Sequence, residues 1–181
     1  EILRHGDFSI YPVEPIIRHG NPVQTVACPD ETQLLADTVT TIKKWQRDGY
    51  ETIAVICRDE AEAAQAAEEL NKYVKIVETD LEKAEFGDGV MVLPVSYTKG
   101  LEFDAVLLFD PTQEKYPSDN GHVKLLYVAA TRALHELVVL HRGKLTGILA
   151  DKVPEGKHMK EFAAETLTKA AEFERVQHTE K

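Results

Sequence analysis

Ser96-Tyr97-Thr98-Lys99 carries a serine and a lysine at the Ser-x-x-Lys spacing of a serine acylating centre, and Ser118-Asp119-Asn120 matches the second element of such a centre. The third element, Lys-Thr-Gly, fails, because Lys144-Leu145-Thr146-Gly147 carries an extra residue. The match is therefore read as coincidence. His135-Glu136 suggests zinc, but the next histidine is His141, too far for a helical i, i+4 ligand pair. The segment also has the pattern of a strand, so no metal ligand is expected. Neither Gly-x-x-x-x-Gly-Lys-Ser/Thr nor Gly-x-Gly-x-x-Gly occurs. Without a phosphate-cradling loop, the chain alone is not expected to hydrolyse a nucleotide. Cys28 and Cys57 make no disulfide framework and are expected in the core.

The 181 residues allow one ordinary domain or a domain with an appendage. A chain of this length buries about 70% of its unfolded surface. Hydrophobic residues at 43% and charged residues at 29% indicate a globular chain. The apolar runs, such as 105–109, fall far short of a membrane span, and no secretory leader is evident; a cytoplasmic location is expected. The net charge of −10 argues against a free-standing, nonspecific nucleic-acid binder. Residues 59–88 hold ten acids and three bases, a net of −7. That is a solvated face or, as the lesser alternative, a docking surface for a basic partner. The chain opens on Glu1, which suggests an excised segment.

The elements alternate. Residues 22–28 are expected as a strand, with Asp30 and Gln33 forming a capping box for a helix that turns Leu35, Val39, Ile42 and Trp45 inward and ends near Asp48-Gly49. Thr52–Cys57 is a continuous apolar run, as in a strand covered on both faces. A second helix over 60–71 turns Ala63, Ala66, Ala67 and Leu70 inward, and a short strand over 74–77 follows. Gly87-Asp88-Gly89 marks a turn, and strands are expected at 90–95, 105–109 and 137–140. Helices are expected at 122–134, with Leu126, Ala130, Ala133 and Leu134 on one side, and at 158–176. Apolar strands alternating with helices predict a three-layer α/β domain with a mostly parallel sheet. Ligands in such sheets bind at the carboxyl ends of strands, here the loops after Cys57, Val95, Phe109 and Leu140.

Two segments stand apart: Ser96-Tyr97-Thr98-Lys99-Gly100-Leu101-Glu102-Phe103-Asp104-Ala105-Val106, and Lys124-Leu125-Leu126-Tyr127-Val128-Ala129-Ala130-Thr131-Arg132-Ala133. Their order and spacing resemble motifs V and VI of UvrD-like superfamily 1 helicases, over roughly residues 22–141. That family pairs two RecA-like α/β domains with ATP and Mg2+ between them, and this chain resembles the second, domain 2A. The resemblance implies a lead-in segment over 1–21, a RecA-like domain over 22–149 and a helical extension over 150–181. It also implies that the phosphate loop, the magnesium-binding acids and an upstream Tyr-Arg motif belong to sequence outside this chain. Arg132 stands at the arginine-finger position, where its planar fork would bind two phosphate oxygens. Gly100 resembles the glycine whose N–H approaches the γ-phosphate; the alternative is a plain turn glycine. Glu102 resembles the glutamate that accepts from the nucleotide ribose, and Lys99 would orient the loop or bind an acid. Ser96 and Tyr97 fall where the family touches nucleic acid. Tyr127 is expected to pack its helix, and Arg58 is a surface arginine or an edge residue of the site.

Two departures refine this resemblance. The usual Thr-x-His of motif V is replaced by Pro94 and Ser96, and only residues 72–88 stand where a large 2B subdomain is normally inserted. Both features are similar to HelD-like ATPases, which bind RNA polymerase. The expected partners are thus the first RecA-like domain and either RNA polymerase or single-stranded DNA. The alternatives are a DNA helicase of the UvrD or helicase IV type, a partner-binding module without a motor, and the serine acylating enzyme, for which Ser96 would be labelled by a β-lactam probe.

Overall fold

Three aspartates start the helices. Asp30 Oδ1 accepts the N–H of Gln33 at 2.8 Å, Asp59 Oδ1 that of Glu62 at 2.9 Å, and Asp119 Oδ1 that of His122 at 3.0 Å. Each cap satisfies a helix N–H that would otherwise lack a partner and contributes about 1 kcal/mol. The helices they open are α1 (Glu31–Arg47), α2 (Glu60–Leu70) and α3 (Asn120–Ala130). The computed structural model describes residues 21–77 and 87–150. The expectations for the lead-in before Asn21, for residues 78–86 of the acidic 59–88 stretch and for the helical extension beyond Ala150 lie outside the described residues.

Five strands, β1 (Gln24–Cys28), β2 (Thr52–Cys57), β3 (Gly89–Pro94), β4 (Phe103–Phe109) and β5 (Ala133–Arg142), form one sheet in the order β1-β5-β4-β2-β3. Every pairing between them is parallel. The apolar run of β2 reads as it does because successive side chains enter different cores. Ala54 and Ile56 join α3 on one face, while Ile53, Val55 and Cys57 join α1 and α2 on the other. The fold is therefore a three-layer αβα arrangement around a parallel sheet, as expected from the sequence. Cys28 and Cys57 are both buried; burial, aided by a hydrogen bond to Asp37, pushes the Cys28 thiol up to about 11, and burial raises the Cys57 thiol as well. Neither is a nucleophile at neutral pH. Among the described residues no helix is long and apolar enough to cross a membrane.

Four local expectations are corrected. The buried face of α1 is Leu34, Thr38, Ile42 and Trp45, with Leu35 and Val39 only partly buried beside it. The capping box is half made, because the Gln33 amide donates to Asp37 at 2.7 Å instead of reaching back to Asp30. Residues 74–77 make only a single parallel bridge, Ile76 to Val90, rather than a strand. The helix expected to reach Leu134 stops at Ala130, and Ala133 already begins β5. The stop is tertiary: the Arg132 carbonyl accepts the Phe103 N–H at 2.9 Å and Ala133 pairs with Phe103. Leu134 therefore faces solvent at 49% exposure. Leu134→Ser is expected to shift stability by less than about 0.5 kcal/mol. Leu126→Ala, by contrast, should cost about 2–5 kcal/mol, since Leu126 is fully buried. Urea unfolding of the two variants reads the difference, and a large loss at Leu134 would contradict this register.

Gly89 is the glycine of the 87–89 turn at which backbone and surroundings both oppose a side chain. Its φ of +125° is unfavourable for an L side chain, and a Cβ there would lie 2.5 Å from Val77 Cγ2. Its N–H also donates to Glu51 O at 2.7 Å, tying the start of β3 to β2. Gly89→Ala should cost about 2 kcal/mol or more in a urea titration.

Candidate functional site

Residues 95–102 carry the chain from the carboxyl end of β3 to the amino end of β4. A short 3-10 turn (Val95–Tyr97) begins the crossing, and the Leu101 N–H donates to Thr98 O at 3.1 Å around Gly100. Gly100 has a φ of +81° and open space where a Cβ would stand. The turn conformation alone thus accounts for this glycine, and its exposure leaves the neighbouring backbone approachable. Lys99 and Glu102 are exposed on the same crossing, while Thr98 is buried, with its hydroxyl on Val95 O at 2.8 Å.

Arg132 sits at the turn between α3 and β5 and not, as expected, within a helix. It is 4% exposed. Its guanidinium folds back: Nε donates to Val128 O, Nη1 to Leu101 O and Nη2 to Thr131 Oγ1, each at 3.0 Å. The bond to Leu101 joins the 98–102 crossing to the end of α3. Arg132 and the Gly100–Glu102 loop, thirty residues apart in sequence, therefore converge at the amino edge of β4 and β5. Sequence reasoning missed Thr131, whose hydroxyl lies 3.0 Å from both Tyr127 O and Val128 O while receiving Arg132. A threonine directly before the arginine was the available signal. Tyr127 is buried in the α3 core, as expected.

The candidate nucleic-acid residues begin the same crossing, on its β3 side. Ser96 and Tyr97 are exposed near the opposite, carboxyl edge, where the Tyr97 hydroxyl donates to Glu60 Oε1 at 2.9 Å. Arg58 is half exposed, and its nearest ion partner is Asp59 at 3.7 Å.

The carboxyl edge, expected to be the ligand edge, is occupied by an ion network. Asp110 is 1% exposed with φ 52°, in the left-handed region. Its carboxylate accepts the Arg142 backbone N–H at 2.7 Å, the Arg142 guanidinium at 2.9 Å and Lys115 Nζ at 2.6 Å. Lys115 also bonds Glu62 on α2, and Arg142 reaches Glu31 on α1 at 3.3 Å. Burial pushes the Asp110 carboxyl up, but the bonds from Lys115 and Arg142 outweigh it and hold the group below the usual range. Both cations are committed to carboxylates, so neither Lys115 nor Arg142 is ready to hold a phosphate. Asp119 of the Ser118-Asp119-Asn120 match caps α3, a structural role unconnected to acyl transfer. Among the described residues no cluster of His, Cys, Asp or Glu could hold a metal ion.

This β3–β5 unit, with its crossing and its terminal arginine, is the part of the chain that a known family describes. Residues 89–140 match the UvrD-like helicase C-terminal domain. The crystal structure of the C-terminal domain of a possible DNA helicase from Lactobacillus plantarum WCFS1 is similar, with TM-score 0.65 and 28% identity over 72% of this chain and 80% of that one. T. fusca Cas3-AMPPNP shares the fold at TM-score 0.50 and 17% identity, over 74% of this chain and 20% of that one. A comparison with curated proteins found no match. The UvrD-like segment contains the Gly100–Glu102 loop and Arg132, but ends before Arg142 and the 143–150 turn.

Proposed function

We propose that this domain is the C-terminal motor half of an ATP-dependent, superfamily 1 helicase-like protein. ATP with Mg2+, held by a first RecA-like domain, would supply the γ-phosphoryl group that is transferred to water, with ADP as the leaving group. The observation that carries the reading is the Arg132 Nη1–Leu101 O bond, which assembles the Gly100–Glu102 loop and Arg132 into one edge. In this reading the Arg132 guanidinium binds the γ-phosphate oxygens, where negative charge must be held during transfer. Glu102, exposed on the loop, accepts a ribose hydroxyl, and the backbone at Gly100 lies against the phosphate. Lys99 orients the loop or pairs with an acid. The donor set fits a triphosphate once Arg132 exchanges its backbone partners for phosphate oxygens.

Within this class we favour a HelD-like protein acting on RNA polymerase. Pro94, buried at the end of β3, and Ser96 replace the usual threonine and histidine, and the hydroxyl of Tyr97 meets an acid instead of a base. The eighteen residues between α2 and β3 are too few for an inserted domain. A UvrD-type DNA helicase is the second reading, favoured by the similarity to the possible DNA helicase. ATP turnover by the protein that joins this domain to a phosphate-loop domain separates them. Turnover raised by single-stranded DNA supports the DNA motor and counts against the HelD-like reading. Turnover indifferent to DNA but raised by RNA polymerase supports the latter. No turnover under either condition would leave a partner-binding module and sink the motor.

A further inference from the structure

The arginine assigned to the phosphate is turned away from solvent. We propose that Thr131 is a positioning residue that stows Arg132 beneath the Leu101 carbonyl, so that the finger is latched until a nucleotide phosphate displaces it. The inference rests on the reading of Arg132 as the finger.

Three N–H groups of the guanidinium are satisfied at 3.0 Å by Val128 O, Leu101 O and Thr131 Oγ1. Two of these acceptors are backbone atoms and persist in any variant. Thr131 Oγ1 is a side-chain acceptor and can be removed by substitution. Its hydroxyl proton goes to Tyr127 O or Val128 O, which turns its lone pairs toward Arg132. Thr131 is also the C-cap of α3. The last-turn carbonyls carry the negative end of the helix dipole, which favours a cation folded onto them. The stowed state is thus stabilised by charge as well as by hydrogen bonds.

The latch also has a consequence for the loop. Leu101 lies between Gly100 and Glu102, so withdrawal of Nη1 releases the carbonyl of the segment that would face the nucleotide. Stowed and engaged arginine form two states, and an anion biases them only by its better binding to the second. Removing the Thr131 acceptor weakens the first state alone.

The test is single-turnover ATP hydrolysis by the full-length protein with its phosphate-loop domain, in wild type and in Thr131→Val, Thr131→Ser and Arg132→Ala. Thr131→Val should hydrolyse faster by roughly tenfold, near the lower end of what one hydrogen bond to a charged group is worth. The nucleotide concentration for half-saturation should stay within about twofold, because the first domain supplies most phosphate contacts. Thr131→Ser keeps the hydroxyl and should return the rate to wild type. If Thr131→Val does not fold, as read by its thermal midpoint, Thr131→Ala removes the same acceptor. A folded hydroxyl-free variant with a rate at or below wild type overturns the latch. Normal turnover by Arg132→Ala is a different result, and it overturns the finger itself.

Discussion

Arg132→Ala should lower ATP turnover by about 10^3-fold or more in the protein that carries this domain opposite a phosphate loop. The expectation follows from charge. Phosphoryl transfer spreads negative charge over the γ-phosphate oxygens and the leaving oxygen, and in the proposed function the domain would contribute a cation brought to that place. Arg132 lies in the UvrD-like segment at the edge shared with Gly100 and Glu102. Lysine at this position keeps the charge but not the planar fork, so Arg132→Lys should retain only part of the rate. Arg132 is also buried and bonds two backbone carbonyls, so its loss will cost some stability. A thermal melt beside the kinetics separates the effects: the expected variant is folded, binds nucleotide and does not turn it over. A folded Arg132→Ala with wild-type turnover would remove the basis of the assignment.

Asp110→Ala should destabilise the domain by about 3 kcal/mol, the low end for breaking a buried ion pair. The low end applies because both cations retain second partners, Lys115 in Glu62 and Arg142 in Glu31. The loss arises mainly from what stays behind: an Arg142 backbone N–H and two cations that had shared one buried carboxylate. Alanine also inherits φ 52° without aspartate's tolerance of that region. Asp110→Asn, which keeps shape and one acceptor, should fall between. The pH dependence has a definite sign. The folded carboxyl sits below its ordinary 3.8, so the folded state binds the proton less readily than the unfolded chain. Its contribution is complete above that value and is lost as pH falls through the lower, folded one. Urea midpoints measured downward from pH 5 should therefore drop less steeply in Asp110→Asn than in wild type. Equal acid limbs would refute the assignment.

The contrast between these two aspartyl and arginyl sites shows where sequence information resides. Asp30 could be read as a cap because its partner, Gln33, is three residues away. The run Thr52–Cys57 announced a strand covered on both faces, since burial on each side demands apolar residues at every position. The alternation of such strands with amphipathic helices was enough to determine a parallel α/β domain. The resemblance of the 96–106 and 124–133 segments to motifs V and VI of UvrD-like helicases singled out Gly100, Glu102 and Arg132. What the sequence did not contain was the direction of Arg132, the end of α3 or the filling of the carboxyl edge. No glycine or proline stops the helix after Ala130; pairing of Ala133 with Phe103, thirty residues earlier, does. Asp110 meets Arg142 thirty-two residues away, and Lys115 meets Glu62 at fifty-three. Local chemistry determined the elements, because caps and periodicity act over one or two turns, and the motif resemblance nominated the residues. Only the tertiary structure decided which edge those residues share, because hydrogen bonds and charge pairs between distant segments exist only once the sheet has brought their strands together.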